Sequence, residues 1–226
     1  MIKKIKTVLF DFEGTLVDFQ YKLKDFEIDL AKELQKMHFL RNDFASTKGY
    51  DQMINRAVEL AASGKFDFSP EEVKERVGLI SDRYDLDALS RWQPLTGTGD
   101  ILTILRNTGF KLGLITNAGR KAIKEAVFRF KLDRIFHVTV TRNDVVLIKP
   151  SGQGILAALS ALGAEKDEAV FIGDSISDIL AARHAGVKVI SLLGGQCAES
   201  ELLEYNPDYI ISSMEKVIEI VSIKNH

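Results

Sequence analysis

The sequence predicts an α/β fold in which a doubly wound parallel sheet carries an inserted α-helical subdomain. Short apolar runs without polar alternation end at polar residues or glycine, which is typical of strands buried on both faces of a sheet. Segments of helical period separate most of these runs, and this alternation favours a Rossmann-like core. The stretch from about residue 18 to residue 91 has helical periodicity without a clear strand, which indicates a separate subdomain.

Five runs rich in Val, Ile, Leu and Phe are predicted to be strands, at residues 7–10, 111–115, 135–140, 169–172 and 187–193. Apolar residues at helical spacing follow Pro150 and stop at Gly163, and a second such set ends before Gly186. Glycine commonly follows the end of a helix because it adopts left-handed backbone angles without strain. These segments are predicted to be helices that connect neighbouring parallel strands.

The predicted insert contains three or four amphipathic helices. Apolar residues recur every three or four positions over residues 19–37 and again over residues 73–84. A connection of about 70 residues is too long for an ordinary loop. We therefore expect residues 1–17 and 92–226 to form the core domain, and residues 18–91 to form the helical subdomain.

The composition excludes several classes of protein. Of 226 residues, 46% are hydrophobic, which is ordinary for a globular protein and excludes a disordered chain. Thirty basic and 32 acidic residues give a formal net charge of −2, so we expect neither nucleic acid nor a membrane as a partner. The single Cys197 cannot form an internal disulfide, and no apolar run reaches 18 residues. We expect a cytoplasmic protein that is a monomer or a homodimer.

Polar residues follow the predicted strands at the positions where open α/β sheets bind ligands. Asp11 follows the first strand, Thr116 the second and Asp174 the fourth, with Asp178 one helical turn later. Lys149 precedes the helix after the third strand. Clustered carboxylates require a cation, and oxygen ligands suit Mg²⁺. A lysine and a threonine can hold a phosphate, so this set predicts phosphoryl transfer, in which an aspartate can be the covalent nucleophile.

These residues also lie in four motifs, in order along the chain. The motifs are Asp11-Phe12-Glu13-Gly14-Thr15-Leu16, Leu114-Ile115-Thr116-Asn117, Lys149-Pro150 and Gly173-Asp174-Ser175-Ile176-Ser177-Asp178. Together they resemble the four signatures of the haloacid dehalogenase-like superfamily, and the helical insert resembles the cap of its phosphoglycolate-phosphatase-like branch. The resemblance covers the whole chain and implies that the insert is a cap subdomain over the active site.

The resemblance implies three catalytic residues. Asp11 would attack phosphorus and also bind Mg²⁺. Glu13 would be the general acid and base, with its backbone carbonyl on the metal. Lys149 would offset the negative charge on Asp11 while it holds the phosphoryl group.

The remaining implied roles concern binding. Thr116 and the Asn117 amide would hold the transferring phosphoryl group together with Lys149. Asp174 would be a metal ligand, and Asp178 would bind the metal directly or through water. Family phosphatases usually have Asp where this chain has Glu13, and glutamate is longer by roughly 1.5 Å of bond length. The proton chemistry is expected to survive this change because the two side chains have similar reference acidities.

The resulting expectation is a Mg²⁺-dependent phosphatase that hydrolyses a small phosphorylated metabolite, a phosphomonoester, through an aspartyl-phosphate. Phosphoglycolate is the default substrate by resemblance. Two alternatives stay open. A sugar-phosphate mutase of the same superfamily would use the same nucleophile. A non-catalytic module would bind a phosphorylated metabolite without turnover, with Glu13 having ended the chemistry.

Overall fold

The computed structural model describes residues 4–223. Within this range the sheet has six strands: β1 (Thr7–Phe10), β2 (Lys111–Ile115), β3 (Val138–Val140), β4 (Ala169–Gly173), β5 (Lys188–Leu192) and β6 (Tyr209–Ile211). The helices are α1 (Leu23–Lys36), α2 (Tyr50–Ala62), α3 (Pro70–Leu89), α4 (Thr98–Asn107), α5 (Arg120–Arg129), α6 (Gln153–Leu162), α7 (Ile176–Ala185), α8 (Glu199–Glu204) and α9 (Glu215–Ile223).

All strands of the sheet are parallel and lie in the order β3-β2-β1-β4-β5-β6. The chain therefore proceeds from β1 towards one edge and then, from β4, towards the other. The last residue of β1, Phe10, is in register with Leu114 of β2 and Ile172 of β4. Because these strands end at the same edge, the residues that follow them are brought together at the topological switch point.

Two apolar layers cover the two faces of the sheet. Along β1, Val8 belongs to the layer formed with α4, α5 and α9, whereas Leu9 belongs to the layer formed with α6, α7 and α8. This alternation explains why the strand is apolar at every position. Helices α6 and α7 end at Gly163 and Gly186, both of which have left-handed backbone angles, as predicted.

Helices α1, α2 and α3 have their own apolar core. Residues such as Phe26, Ile54 and Val77 are buried in it, one from each helix. Two linkers join these helices to the sheet, the first at residues 14–18 and the second at residues 92–94. They are bonded to each other: Val17 and Pro94 form an antiparallel bridge, and the Asp18 amide donates to the Gln93 carbonyl at 3.0 Å. We call residues 18–91 the helical insert.

The predicted fold class is confirmed, with two differences in the strands. The third strand begins at Val138, not at residue 135, because the ring nitrogen of His137 accepts the Leu112 amide proton in place of a backbone carbonyl. Strand β6 was not predicted, because its three residues are too short to show a period. Among the described residues, no helix is long and apolar enough to cross a membrane.

Candidate active site

A buried cluster of charged side chains lies at the carboxyl ends of β1 and β4. Oxygens of Asp11, Asp174 and Asp178 all lie within 4.8 Å of one another, and each side chain is at least nine-tenths buried. The ammonium group of Lys149 is equally buried and donates to Asp11 Oδ1 and, at 2.6 Å, to Asp178 Oδ1. One cation therefore lies among three carboxylates that are largely shielded from solvent.

Asp178 is fixed by the start of α7. Its Oδ2 accepts hydrogen bonds from the Ser175 hydroxyl at 2.6 Å and from the Ser175 and Asp174 amides at 3.0 and 3.2 Å. The Ser175 hydroxyl also accepts the Asp178 amide proton, which completes a capping box. A local helix-capping pattern therefore positions one of the three carboxylates.

Asp174 is held by residues from two loops. Its Oδ1 accepts the Thr15 hydroxyl proton at 2.9 Å, and its Oδ2 accepts the Gln196 amide proton at 2.6 Å. A Cβ atom at Gly14 or Gly195 would overlap the Asp174 carboxylate, and Gly14 also has φ +78°. Glycine at these positions lets two backbone segments approach the carboxylate.

Lys149 is positioned through its own backbone by Asn117. The Lys149 amide donates to Asn117 Oδ1 at 2.9 Å, and Asn117 Nδ2 donates to the Lys149 carbonyl at 3.0 Å. The side-chain amide of Asn117 is thus engaged with the lysine peptide groups. Thr116, the residue before it, is buried, and its hydroxyl accepts the Ala118 amide proton at 3.1 Å.

The electrostatics of the cluster are dominated by burial. Burial raises the pKa of the Asp11 carboxyl to about 7 even though the Lys149 ammonium opposes this effect. Burial and the neighbouring Asp11 also hold the pKa of Asp174 well above its usual range. For Lys149, burial acts to lower the pKa of the ammonium group, but the two carboxylates outweigh it and the pKa is raised.

This donor set fits a divalent cation. Lys149 compensates Asp11 and Asp178, whereas Asp174 is bonded to a hydroxyl and an amide and has no cationic side chain beside it among the described residues. Three oxygen donors of this kind are the ligands that Mg²⁺ prefers. Asp11, Asp174 and Asp178 could therefore hold such an ion.

Glu13 lies between the cluster and the second linker of the insert. Its Oε1 accepts a hydrogen bond from the Trp92 indole at 2.8 Å, and Trp92 packs edge-on against Phe12 at 5.0 Å between ring centroids. Burial raises the pKa of the Glu13 carboxyl to about 8, and the indole N–H partly opposes this shift. A carboxyl with such a pKa can both give and take a proton near neutral pH.

A cavity of about 410 Å³ opens above the cluster. It is lined by Asp11, Glu13, Thr116, Asn117 and Lys149 from the sheet edge and by residues of α1, α2 and α3 from the helical insert. All seven predicted site residues are therefore brought to one place, since Asp174 and Asp178 adjoin Asp11.

Several contacts join the insert to the loops of the sheet edge. Arg142, just after β3, donates to Asp82 and Asp85 of α3 and to the Asn117 carbonyl at 3.2 Å. Asn55 of α2 exchanges two hydrogen bonds with the Ile148 backbone, at 2.8 and 2.9 Å. The insert therefore contacts the two segments that carry the second and third motifs.

Sequence reasoning missed some of these functional candidates. Arg142 follows a strand end as the motif residues do, and that position was a usable signal. No such signal marks Trp92, Asp85 or Gln196 as a site residue, because each belongs to no motif. Each is also many residues away from its hydrogen-bond partner, which is Glu13, Gly119 and Asp174 respectively.

Comparisons with known proteins identify the family of this chain. A family model for haloacid dehalogenase-like hydrolases matches residues 8–192. The pyrophosphatase PpaX of Halalkalibacterium halodurans is 28% identical over 221 residues, covering 98% of this chain and 99% of the relative.

Solved structures show the same fold. A predicted phosphoglycolate phosphatase from Haemophilus somnus superposes with a TM-score of 0.66 at 22% identity, over 97% of this chain and 99% of the other. A Thermotoga maritima protein assigned provisionally as a β-phosphoglucomutase gives a TM-score of 0.61 at 20% identity, over 96% and 99% of the two chains. Because the family model spans most of the chain and includes all four motifs, the chain belongs to the haloacid dehalogenase-like hydrolases and is a hydrolase.

Proposed function

We propose that the protein is a Mg²⁺-dependent phosphatase that hydrolyses a small phosphomonoester through an aspartyl-phosphate on Asp11. The observation that carries this proposal is the buried cluster of Asp11, Asp174 and Asp178, in which Lys149 pairs with Asp11 and Asp178 and leaves Asp174 without a cationic partner among the described residues. The excess of negative charge suits a metal ion, and the cavity above the cluster has room for a phosphorylated metabolite. The insert acts as the cap that separates this cavity from bulk water.

In the proposed reaction, an Asp11 oxygen forms a bond to phosphorus while the bond from phosphorus to the leaving oxygen breaks. Glu13 gives its proton to that leaving oxygen and then takes a proton from the water that hydrolyses the aspartyl-phosphate. Asp11, Asp174, Asp178 and the Glu13 carbonyl would hold Mg²⁺, which would supply positive charge against the phosphoryl oxygens.

The other residues position these groups. Lys149 and Thr116 hold the phosphoryl group, and the main-chain amide of Asn117 assists them, since its side chain is bonded to Lys149. Asn117 therefore acts twice in this proposal, once on the phosphoryl group and once through the lysine. The orientation of Lys149 is fixed before substrate binds, as electrostatic stabilisation of a transition state requires.

Hydrolysis of pyrophosphate is a second candidate, because the PpaX relative is a pyrophosphatase of nearly the same length. The mutase alternative has weaker support, since the likeness to the Thermotoga maritima protein extends to the fold alone. A mutase would transfer the phosphoryl group to a second sugar position, whereas a phosphatase releases inorganic phosphate.

The proposal is tested by trapping the intermediate. The protein is mixed with substrate and Mg²⁺, quenched in acid and reduced with borohydride, which converts an aspartyl-phosphate to homoserine. We expect mass spectrometry to find homoserine at position 11. Turnover with no modified residue at that position would contradict the mechanism. Absence of turnover across a broad substrate panel, with Mg²⁺ bound, would favour the non-catalytic module.

A further inference from the structure

The cavity is larger than the phosphoryl group needs. Its inner end is formed by Lys149, Thr116 and Asp11, which are the groups proposed to hold phosphate. The remaining space, within a volume of about 410 Å³, is bounded by the helical insert. Residues of the insert therefore face the leaving group of the substrate, and their chemistry indicates what that group is.

Aromatic rings form one side of this outer space. Tyr21, Phe26 and Tyr50 line the cavity and pack on one another, with ring centroids 5.3 Å apart for Tyr21–Phe26 and Phe26–Tyr50. The Tyr21 and Tyr50 rings stack at 6.3 Å with 19° between their planes. Such a wall binds flat or apolar groups through their faces.

Of the three cationic side chains that line the outer cavity, only Arg142 is paired with carboxylates among the described residues. Arg142 is bound by Asp82 and Asp85, and the Lys74 ammonium donates to the Val145 carbonyl at 2.6 Å. Lys48, the other cation that lines this part of the cavity, is exposed to solvent. Among the described residues, the outer cavity therefore offers a second anion only Lys74, which is partly buried and already bonded to a carbonyl, and Lys48, which is exposed.

Carboxylates, by contrast, are abundant there. Glu27, Asp51, Glu75 and Asp85 all line the cavity. Asp51 is about nine-tenths buried, and its Oδ1 accepts only the neighbouring Gln52 amide among the described bonds. The Ser177 hydroxyl, next to Asp51, is buried and acts to lower the pKa of that carboxyl against the effect of burial. The Asp51 carboxylate is thus an acceptor for a donor on the leaving group.

We infer that the substrate is a phosphomonoester whose leaving group is uncharged or cationic, with an aromatic or apolar body and a hydrogen-bond donor that reaches Asp51. This inference rests on the proposed phosphatase activity and deepens it. It opposes both pyrophosphate and phosphoglycolate, because each would place a second anion against the carboxylates of the insert.

The test uses two aryl phosphates of matched size. In 4-carbamoylphenyl phosphate the ring carries a neutral amide with N–H donors, and in 4-carboxyphenyl phosphate it carries an anion. We expect kcat/KM for the carbamoyl compound to exceed that for the carboxy compound by about tenfold or more, since like charges repel strongly at a partly buried site. Pyrophosphate and phosphoglycolate, assayed in parallel, are expected to be poorer substrates than the carbamoyl compound.

Two variants assign the selectivity to residues of the insert. Asp51→Asn removes the anion. We expect it to lower the ratio of kcat/KM for the carbamoyl compound to kcat/KM for the carboxy compound by about fivefold or more. The matched control is Asp67→Asn, an exposed aspartate of the insert that does not line the cavity. The control should leave the ratio unchanged.

Tyr50→Leu removes an aromatic face but keeps an apolar side chain. We expect it to lower kcat/KM for phenyl phosphate about fivefold while methyl phosphate, which has no ring, changes little. A purely structural defect would affect both substrates equally. The control is Phe44→Ala, since Phe44 is an aromatic residue of the insert that does not line the cavity. It should leave the ratio of kcat/KM for phenyl phosphate to kcat/KM for methyl phosphate unchanged.

The outcomes separate this inference from the phosphatase proposal. If pyrophosphate, phosphoglycolate or the carboxylated aryl phosphate is cleaved as well as the neutral compounds, the inference is wrong while the phosphatase proposal stands. The inference is also overturned if Asp51→Asn has the same ratio of kcat/KM for the carbamoyl and carboxy compounds as the native protein. If no phosphate compound is turned over in Mg²⁺, both the inference and the proposed function fail.

Discussion

The sheet edge and the helical insert contribute to the same cavity in different ways. At the sheet edge, Asp11, Asp178 and Lys149 are buried and each has fixed partners. In the insert, Tyr21 and Tyr50 are only half-buried, and their rings lie in the cavity wall. The proposed reactive groups are therefore set by local motifs, whereas the proposed leaving-group side is built from residues that are distant in sequence from the sheet edge.

The largest effect is expected at the proposed nucleophile. Asp11→Asn keeps the size of the side chain but removes the anionic oxygen, so we expect kcat to fall by at least about 10⁴-fold. Release of inorganic phosphate from a good aryl phosphate measures this. Asp100→Asn, an exposed aspartate of α4, is the matched control. A variant at position 11 that keeps a tenth of its rate would contradict the proposal.

Removal of metal should expose the repulsion within the cluster. Because the pKa values of Asp11 and Asp174 are raised in the folded protein, folding favours their protonated forms, and these become ionised as pH rises. In EDTA, the free energy of unfolding should therefore fall between about pH 5 and pH 7.5, the range that spans the Asp11 pKa. Saturating Mg²⁺ should remove much of this loss.

Urea denaturation at the two pH values, with EDTA or Mg²⁺, measures the effect. Asp174→Asn serves as the comparison, because it removes one of the crowded carboxylates. We expect this variant to have a flatter pH dependence in EDTA and a smaller gain from Mg²⁺. Equal stability of the native protein at both pH values in EDTA would argue against a strained cluster.

Arg142 joins the sheet edge to the helical insert through ion pairs with two aspartates of α3. Asp85 and Asp82 bind the same guanidinium, but Asp85 is 3% exposed and Asp82 is 48% exposed. Asp85→Asn should lower the free energy of unfolding by about 3 kcal/mol, because it leaves the buried Arg142 guanidinium with only the half-exposed Asp82 as its carboxylate partner. Asp82→Asn should cost less than about 1 kcal/mol, because water screens that pair. Similar losses in the two variants would show that burial does not decide this contact.

Asn117 tests whether Lys149 is held by its backbone. Asn117→Ala removes both hydrogen bonds to the lysine peptide groups, so we expect kcat to fall about tenfold with little change in KM. Asn55→Ala is a matched control, since it removes the same kind of paired bond from the neighbouring Ile148 and not from Lys149. A larger loss of kcat in Asn55→Ala would show that Lys149 is positioned mainly by the contact between Ile148 and the insert and not by Asn117.

The smallest effect is expected at Trp92. The indole N–H lowers the pKa of Glu13, so Trp92→Phe should raise that pKa above about 8 and move the alkaline limb of the kcat profile to higher pH. The rate at neutral pH should change only a few-fold. Phe12→Leu alters the packing of Trp92 without removing the N–H donor, and its alkaline limb should stay in place. A shift in both variants would attribute the effect to packing.

Much of the sheet edge could be predicted from sequence, because its signals are local. The apolar run of four residues before Asp11 and the capping box from Ser175 to Asp178 each span only a few positions of the sequence. The insert could be predicted only as helices. Which of its faces meets the sheet depends on contacts such as Asn55–Ile148, which join residues 93 positions apart. No local pattern encodes a contact of that range, and the leaving-group side of the cavity depends on several.

The paired linkers have a further consequence for the group proposed to transfer the proton. Glu13 lies just before the first linker and Trp92 at the start of the second, and the two segments are bridged at Val17 and Pro94. Trp92 is fully buried in the apolar layer of the sheet, packs against Phe12, and its carbonyl accepts a hydrogen bond from Arg129 of α5 at 2.9 Å. The indole is therefore anchored to the same body as the Glu13 carboxyl, and Glu13 keeps this partner both before and after a substrate enters the cavity.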